Sequence, residues 1–120
     1  MLKGQMNLPI IDEEITLTDL RGANVSRQRE WDPTGKITPD FFALELAGEV
    51  GELLNVYKKL MRHKLELPGS RATREDLENE LADVLIVLDL FAMRMDVDLT
   101  TALKRKFNAT SDKLKLSTKL

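Results

Sequence analysis

The chain contains no cysteine. Disulfides, thiolate zinc sites, iron–sulfur clusters and a cysteine nucleophile are therefore excluded. Its single histidine, His63, rules out multi-histidine metal sites and the paired Glu-x-x-His pattern of di-iron bundles; at a helix end it reads as a surface or dipole residue. Charge of one sign is also missing: 18 Lys+Arg stand against 20 Asp+Glu, a net of −2, so bulk charge points to no specific nucleic-acid or membrane partner. Long apolar runs are missing too. The most apolar stretch, Leu81 to Met95, is broken by Asp83, Asp89 and Arg94 and is too short to span a bilayer. Met1 to Leu8 holds one lysine and no apolar core, and Asp12, Glu13 and Glu14 follow, so this stretch is not expected to be a secretory leader. The expectation is a cytoplasmic protein. What is plentiful is carboxylate, so any metal chemistry must use oxygen ligands.

The 120 residues, 42% of them hydrophobic, form one domain spanning 1–120 and suffice for one core. Residues 1–16 show no period and read as an arm. A first helix follows Thr18, with Asp19 in its first turn, and runs to about Trp31. Asp32-Pro33-Thr34-Gly35 is a turn. Thr38-Pro39 opens a second helix, threonine as N-cap and proline at the first helical position, running to about His63 with Phe42, Leu46, Val50, Leu53, Tyr57 and Leu60 at helical spacing. Thr73 followed by Asp76 is a capping box that opens a third helix, to about Met95. Asp98 caps a fourth, about Leu99 to Asp112, and 113–120 is a polar tail. Four helices joined by short loops predict an all-α, antiparallel four-helix bundle.

The carboxylates are oddly placed. At about 100° per residue, Glu45, Glu49 and Glu52 share one stripe about 60° wide, although like charges one turn apart repel by a few tenths of a kcal/mol. On the third helix Glu80 and Asp83 share a face, while apolar residues cover almost every other direction. A helix apolar all round is buried, which predicts Asp83 in a crowded interior, where a lone carboxylate is costly. Two helices each offering inward carboxylates would make an oxygen cage suited to Mg²⁺ or Mn²⁺. Gly48 and Gly51, each costing about 1 kcal/mol in a helix, predict that a backbone or a ligand approaches closely there.

Glu49-Val50-Gly51-Glu52, a gap of 27 residues, then Glu80-Leu81-Ala82-Asp83 resembles the ExxE…ExxD signature of the MazG-like, all-α nucleoside triphosphate pyrophosphohydrolases. The flanking text from Leu46 to Leu53 and from Glu80 to Ile86 is similar to that of small members such as dCTP pyrophosphatases, as are Arg29-Glu30-Trp31 and Lys106-Phe107-Asn108. The resemblance covers about residues 18–113. It implies Mg²⁺-dependent hydrolysis of a nucleoside triphosphate between its α- and β-phosphates, with Glu49, Glu52, Glu80 and Asp83 as metal ligands. One carboxylate not saturated by metal would take the proton of the attacking water; Glu49 is our choice, and Glu45, one turn upstream, would steady the ligands. The resemblance further implies a homodimer or homotetramer with sites built partly between chains, and an apolar third helix needs such a cover on physical grounds as well.

Trp31 either stacks on a base or closes the core at a helix end. Lys59, on the Glu45 stripe, either contacts phosphate or balances the carboxylates. Lys106, Asn108 and Lys113 resemble phosphate or sugar contacts of the family, although its pattern has arginine at Lys113 and asparagine at Thr110; the alternative is a solvated basic helix end favoured by the dipole. Asp89 replaces an apolar family position and is expected to pair with Arg94 or a partner subunit. Two other functions remain open. Residues 104–120 carry six bases against Asp112, a net of +5, which suits a non-enzymatic interaction module. A phosphoribosyl-nucleotide pyrophosphohydrolase would use the same fold. Setting aside Glu45, Glu49, Glu52, Glu80 and Asp83 leaves 15 acids against 18 bases, so the neutral total reads as an acidic site in a mildly basic shell.

Overall fold

The computed structural model describes residues 14–120 and has four helices: α1 (Leu17–Trp31), α2 (Pro39–Lys64), α3 (Arg74–Arg94) and α4 (Leu99–Lys113). Among the described residues there is no strand, so the all-α expectation holds. Of the N-terminal arm, residues 1–13 lie outside the described residues; 14–16 are non-helical and exposed.

Local chemistry sets the helix starts. Thr16, not Thr18, caps α1: its hydroxyl accepts from the Asp19 N–H, and the Asp19 carboxylate accepts from the Thr16 N–H at 2.8 Å. The reciprocal pair needs its members three positions apart, with two residues between them, which Thr18 cannot supply with Asp19. Thr73 and Asp76 repeat the device on α3, Thr38 and Asp98 cap α2 and α4, and Pro39 sits at the start of α2. The helix ends carry a signal that glycine does not mark. Glu66, Asp96 and Lys115 all have φ near +57°, each just past its helix. In each case the next residue, Leu67, Val97 or Leu116, donates its N–H back to the carbonyl of Arg62, Ala92 or Ser111. These are Schellman closures with an apolar residue following the left-handed one. Between α1 and α2 the Asp32 carboxylate accepts the N–H groups of Lys36 and Ile37 at 2.9 and 2.8 Å, with Gly35 at φ +68° completing the turn.

Helices α2 and α3 form the dominant pairing, α1 lies across α3, and the main contact of α4 is with α1. Phe42 faces Leu90 at one end of the hairpin and Glu52 faces Glu80 further along, so α2 and α3 run antiparallel. Within this single chain the core is thin: the buried apolar residues are Phe42, Val87 and Ala92. The radius of gyration is 17.9 Å, against roughly 13–14 Å for a compact chain of this length. Leu81, Leu85 and Leu88 of α3 are exposed, as are Leu44, Leu54 and Tyr57 of α2. The expected all-round burial of α3 is thus not met within one chain, and Asp83 is exposed rather than interior.

The acid that does enter the interior is Asp89, 1% exposed. It pairs not with Arg94 but with Arg21 of α1, whose Nε and Nη2 reach its carboxylate at 3.0–3.2 Å, and with the Asn24 amide at 2.9 Å. Arg21 also donates to the Val97 carbonyl at 2.8 Å, so one side chain ties α1 to both α3 and the α3–α4 loop. Arg94 instead donates to the Ile37 carbonyl.

Candidate active site

The stripe on α2 and the pair on α3 converge. Glu49, Glu52 and Glu80 each offer a carboxylate oxygen within 4.8 Å of the others. An exposed acidic group alone would mean little, but one oxygen each of Glu49 and Glu80 is buried with no hydrogen-bond partner. Among the described residues none of Glu49, Glu52, Glu80 and Asp83 has a cationic partner. Burial, followed by the charges of Glu52, Asp83 and Glu80, pushes the Glu49 carboxyl above the usual range. The Glu80 carboxyl is raised by the same combination, with Glu52, Asp83 and Asp76 as its neighbours in charge. Asp83 therefore belongs to the electrostatic neighbourhood although it stands outside the tight trio. A set of hard oxygen donors, crowded, partly desolvated and mutually repelling, fits a divalent cation such as Mg²⁺ or Mn²⁺, which would pair the orphaned oxygens and remove the repulsion.

A cleft of about 360 Å³ opens beside this stripe, bounded by Asn24, Arg27, Gln28 and Trp31 of α1, Ile37 of the following loop, Phe41, Phe42 and Glu45 of α2, and Leu90 of α3. Trp31 stands at its rim, 77% exposed, so it does not close the core. Glu45 links the two features: it lines the cleft and precedes Glu49 by one turn. Arg27, Gln28 and Phe41 had not been singled out from the sequence. The spacing of Arg27 and Gln28 before Trp31, four and three residues, was the available signal, because it puts all three on one helix face.

The remaining candidates lie elsewhere. Lys59 is half-buried on α2 and its charge acts on Asp76 at the start of α3. Lys106 borders a separate apolar cleft with Phe107 and Leu116. Asn108 is engaged by the tail: its amide donates to the Leu120 carbonyl and its oxygen accepts the Leu120 N–H at 2.8 Å. Lys113 ends α4. The structure brings none of these three to the carboxylates within one chain. Lys119 is bound to Asp112, so part of the basic tail is neutralised internally. Gly48 and Gly51 do not serve a close approach within the chain, since a Cβ at either would meet nothing within 4 Å.

An all-α hairpin carrying opposed Glu-x-x-Glu and Glu-x-x-Asp pairs beside a cleft is an acidic, oxygen-donor arrangement compatible with a divalent metal. Residues 38–117 match the model of the MazG nucleotide pyrophosphohydrolase domain, and the chain belongs to that family. It is 37% identical over 101 residues to dCTP pyrophosphatase 1 of Rattus norvegicus, covering 79% of this chain and 56% of that protein. The corresponding protein of Homo sapiens is 36% identical over 98 residues, with 79% and 56% covered. The Gene 37 protein of Mycobacterium phage L5 is 35% identical over 68 residues, 57% of this chain and 59% of that protein. The chain thus spans under three fifths of the length of these curated relatives. Among the described residues no helix is long and apolar enough to cross a membrane.

Proposed function

We propose that the protein hydrolyses nucleoside triphosphates, ribo- or deoxy-, between the α- and β-phosphates, with Mg²⁺ held by Glu49, Glu52, Glu80 and Asp83. The observation that carries this reading is the pair of buried, partnerless oxygens on Glu49 and Glu80 inside a carboxylate cluster that no Lys or Arg among the described residues pairs with. Family membership and the likeness to dCTP pyrophosphatase 1 support the choice of reaction. When bound, the metal supplies charge neutralisation at the phosphate oxygens and orients the chain of phosphates; Mn²⁺ can stand in for it.

The protein's own part is proton handling and positioning. Glu49, whose carboxyl is raised above the usual carboxylate range by burial and by its neighbours, accepts the proton of the attacking water. The water oxygen bonds to the α-phosphorus, the bond from that phosphorus to the bridging oxygen breaks, and pyrophosphate leaves with the electron pair. The products are a nucleoside monophosphate and pyrophosphate. Glu45 holds the stripe in place one turn upstream, and Lys59 balances the acids near the start of α3.

We place Lys106, Asn108 and Lys113 at the phosphates of a neighbouring copy, in a homodimer or homotetramer. The exposed apolar faces of α2 and α3 support such an assembly, since contiguous apolar surface on a lone chain of this size marks an interface. In that setting Asn108 exchanges its hold on Leu120 for the substrate. A cytoplasmic nucleotide-pool cleansing role follows from this chemistry. Sedimentation velocity is expected to give a dimer or tetramer; a monomer at full activity contradicts the shared site.

The test of the reaction is incubation with Mg²⁺ and a panel of ribo- and deoxynucleoside triphosphates, with a phosphoribosyl nucleotide alongside, followed by product identification. Monophosphate plus pyrophosphate is expected. Diphosphate plus phosphate, or turnover of the phosphoribosyl nucleotide alone, contradicts the proposal.

A further inference from the structure

Arg27 and Glu45 bring charge to the cleft beside the carboxylates, but among its lining residues only Gln28 has a polar side-chain atom that is both buried and unpaired. The floor and walls of the cleft are mostly apolar, from Phe41, Phe42 and Leu90, and its volume of about 360 Å³ lies in the range of small-molecule sites. Asn24 borders it, but that amide is already given to Asp89 and to the Ile86 carbonyl. Gln28 is different: its Nε2 is buried and has no hydrogen-bond partner. A buried amide N–H left unpaired is unfavourable, and a fold that keeps one in a cleft has a partner for it in the occupant. Gln28 lies three residues before Trp31, on the same face of α1. Both line the cleft, so a flat ring laid on the exposed indole has the Gln28 amide on its side of α1.

We infer that Gln28 is a specificity-determining residue: its Nε2 donates a hydrogen bond to an acceptor on the edge of a nucleobase stacked on Trp31. The inference rests on the nucleotide reading above and names the group that selects the base. Continuity with the metal cluster identifies the occupant as a nucleotide. Glu45 shares the cleft, Glu49 lies about 6 Å further along α2, and Glu52 about 10 Å further, at 1.5 Å of rise per residue. A base in the cleft leaves its phosphate chain running along that stripe to the carboxylates. A free base, or phosphate alone, would use only one end of the arrangement.

A donor at this position favours a base with a carbonyl there over one with an amino group. Replacing the amide by leucine removes the discrimination. Replacing it by glutamate turns the donor into an acceptor and shifts preference toward amino-bearing bases.

Trp31 is the sole tryptophan, so its emission reports binding without turnover. The full chain is titrated with dTMP, dCMP, dGMP and dAMP in chelator, for wild type, Gln28→Leu and Gln28→Glu, with circular dichroism confirming equal helicity. Saturable quenching is expected in wild type. Gln28→Leu should weaken the preferred base by about 3–10-fold, the worth of one neutral hydrogen bond, and Gln28→Glu should reverse the order of dTMP and dCMP. No quenching, or the same base ranking in all three proteins, overturns the inference. The triphosphate panel is read separately. Turnover with unchanged selectivity in the variants sinks this inference alone, whereas base-selective quenching without turnover sinks the hydrolytic reading and leaves the role of Gln28 standing.

Discussion

Asp89 and Glu80 stand on the same helix, yet the fold treats them in opposite ways. Asp89 is 1% exposed and fully answered: a guanidinium from α1 and the Asn24 amide take its oxygens. Glu80 is only half-buried, but one of its oxygens has no partner, and its nearest charges are other carboxylates. A carboxylate that serves architecture comes with its own cation. Glu80 has none among the described residues, and in the proposed reading its cost persists until a ligand arrives. The difference separates function from structure better than burial does, because the more buried acid is the structural one.

The largest expected effect comes from the unanswered cluster. Glu49→Gln should lower metal-dependent turnover by about 10²–10⁴-fold, the usual contribution of a positioned base, without loss of helicity. Glu52→Gln and Asp83→Asn should likewise abolish turnover. Product assays beside circular dichroism check this, and full activity in any two of these variants would place the site elsewhere. The answered cluster should respond in stability instead. Arg21→Met strands Asp89 in the interior and should cost about 2–3 kcal/mol, below the value for a fully buried broken pair because Arg21 is 26% exposed. Urea unfolding measures it, and turnover per folded molecule should change little.

Smaller effects carry the pH signature. Thr73→Ala removes the α3 cap and should cost about 1 kcal/mol. The backbone N–H and hydroxyl of Thr73 hold the Asp76 carboxyl below its ordinary value. That contribution is present above the ordinary carboxylate range and is lost as pH falls through the lowered value. Glu49 and Glu80 have the opposite sign. Their carboxyls are raised in the fold, so their effect favours the metal-free fold below the ordinary carboxylate range, and this advantage is lost as pH rises through the raised values. Glu49→Gln should therefore stabilise the metal-free protein near neutrality by a few tenths of a kcal/mol, the scale of like-charge pairs on a helix, and flatten this part of the pH profile in thermal melts.

Much of this was legible in the residues. Thr38-Pro39, the Thr73–Asp76 box and Asp98 located three helix starts, and the 3.6-residue spacing of Glu45, Glu49 and Glu52 put them on one face. The α1 start was misplaced by two residues because Thr16 and Thr18 are equally good caps until the partner of Asp19 is known. Asp83 was misread because an all-round apolar helix says that cover is needed, not that the same chain supplies it. The Arg21–Asp89 pair joins residues on different helices, and no local pattern encodes it. Gln28 was legible only as a neighbour of Trp31 on one helix face, and a glutamine there means little until its amide is seen buried and unpaired.

In the proposed reading the Glu49–Glu52–Glu80 cluster is unanswered because it binds a divalent cation. Thermal melts of wild type, Glu80→Gln and Arg21→Met, each with and without Mg²⁺, test it directly. A ligand that binds only the folded state raises Tm with its concentration. The expected result is a Mg²⁺-dependent rise in wild type, the same rise in Arg21→Met from its lower baseline, and little or none in Glu80→Gln. No rise in wild type, or an equal rise in Glu80→Gln, would contradict that reading.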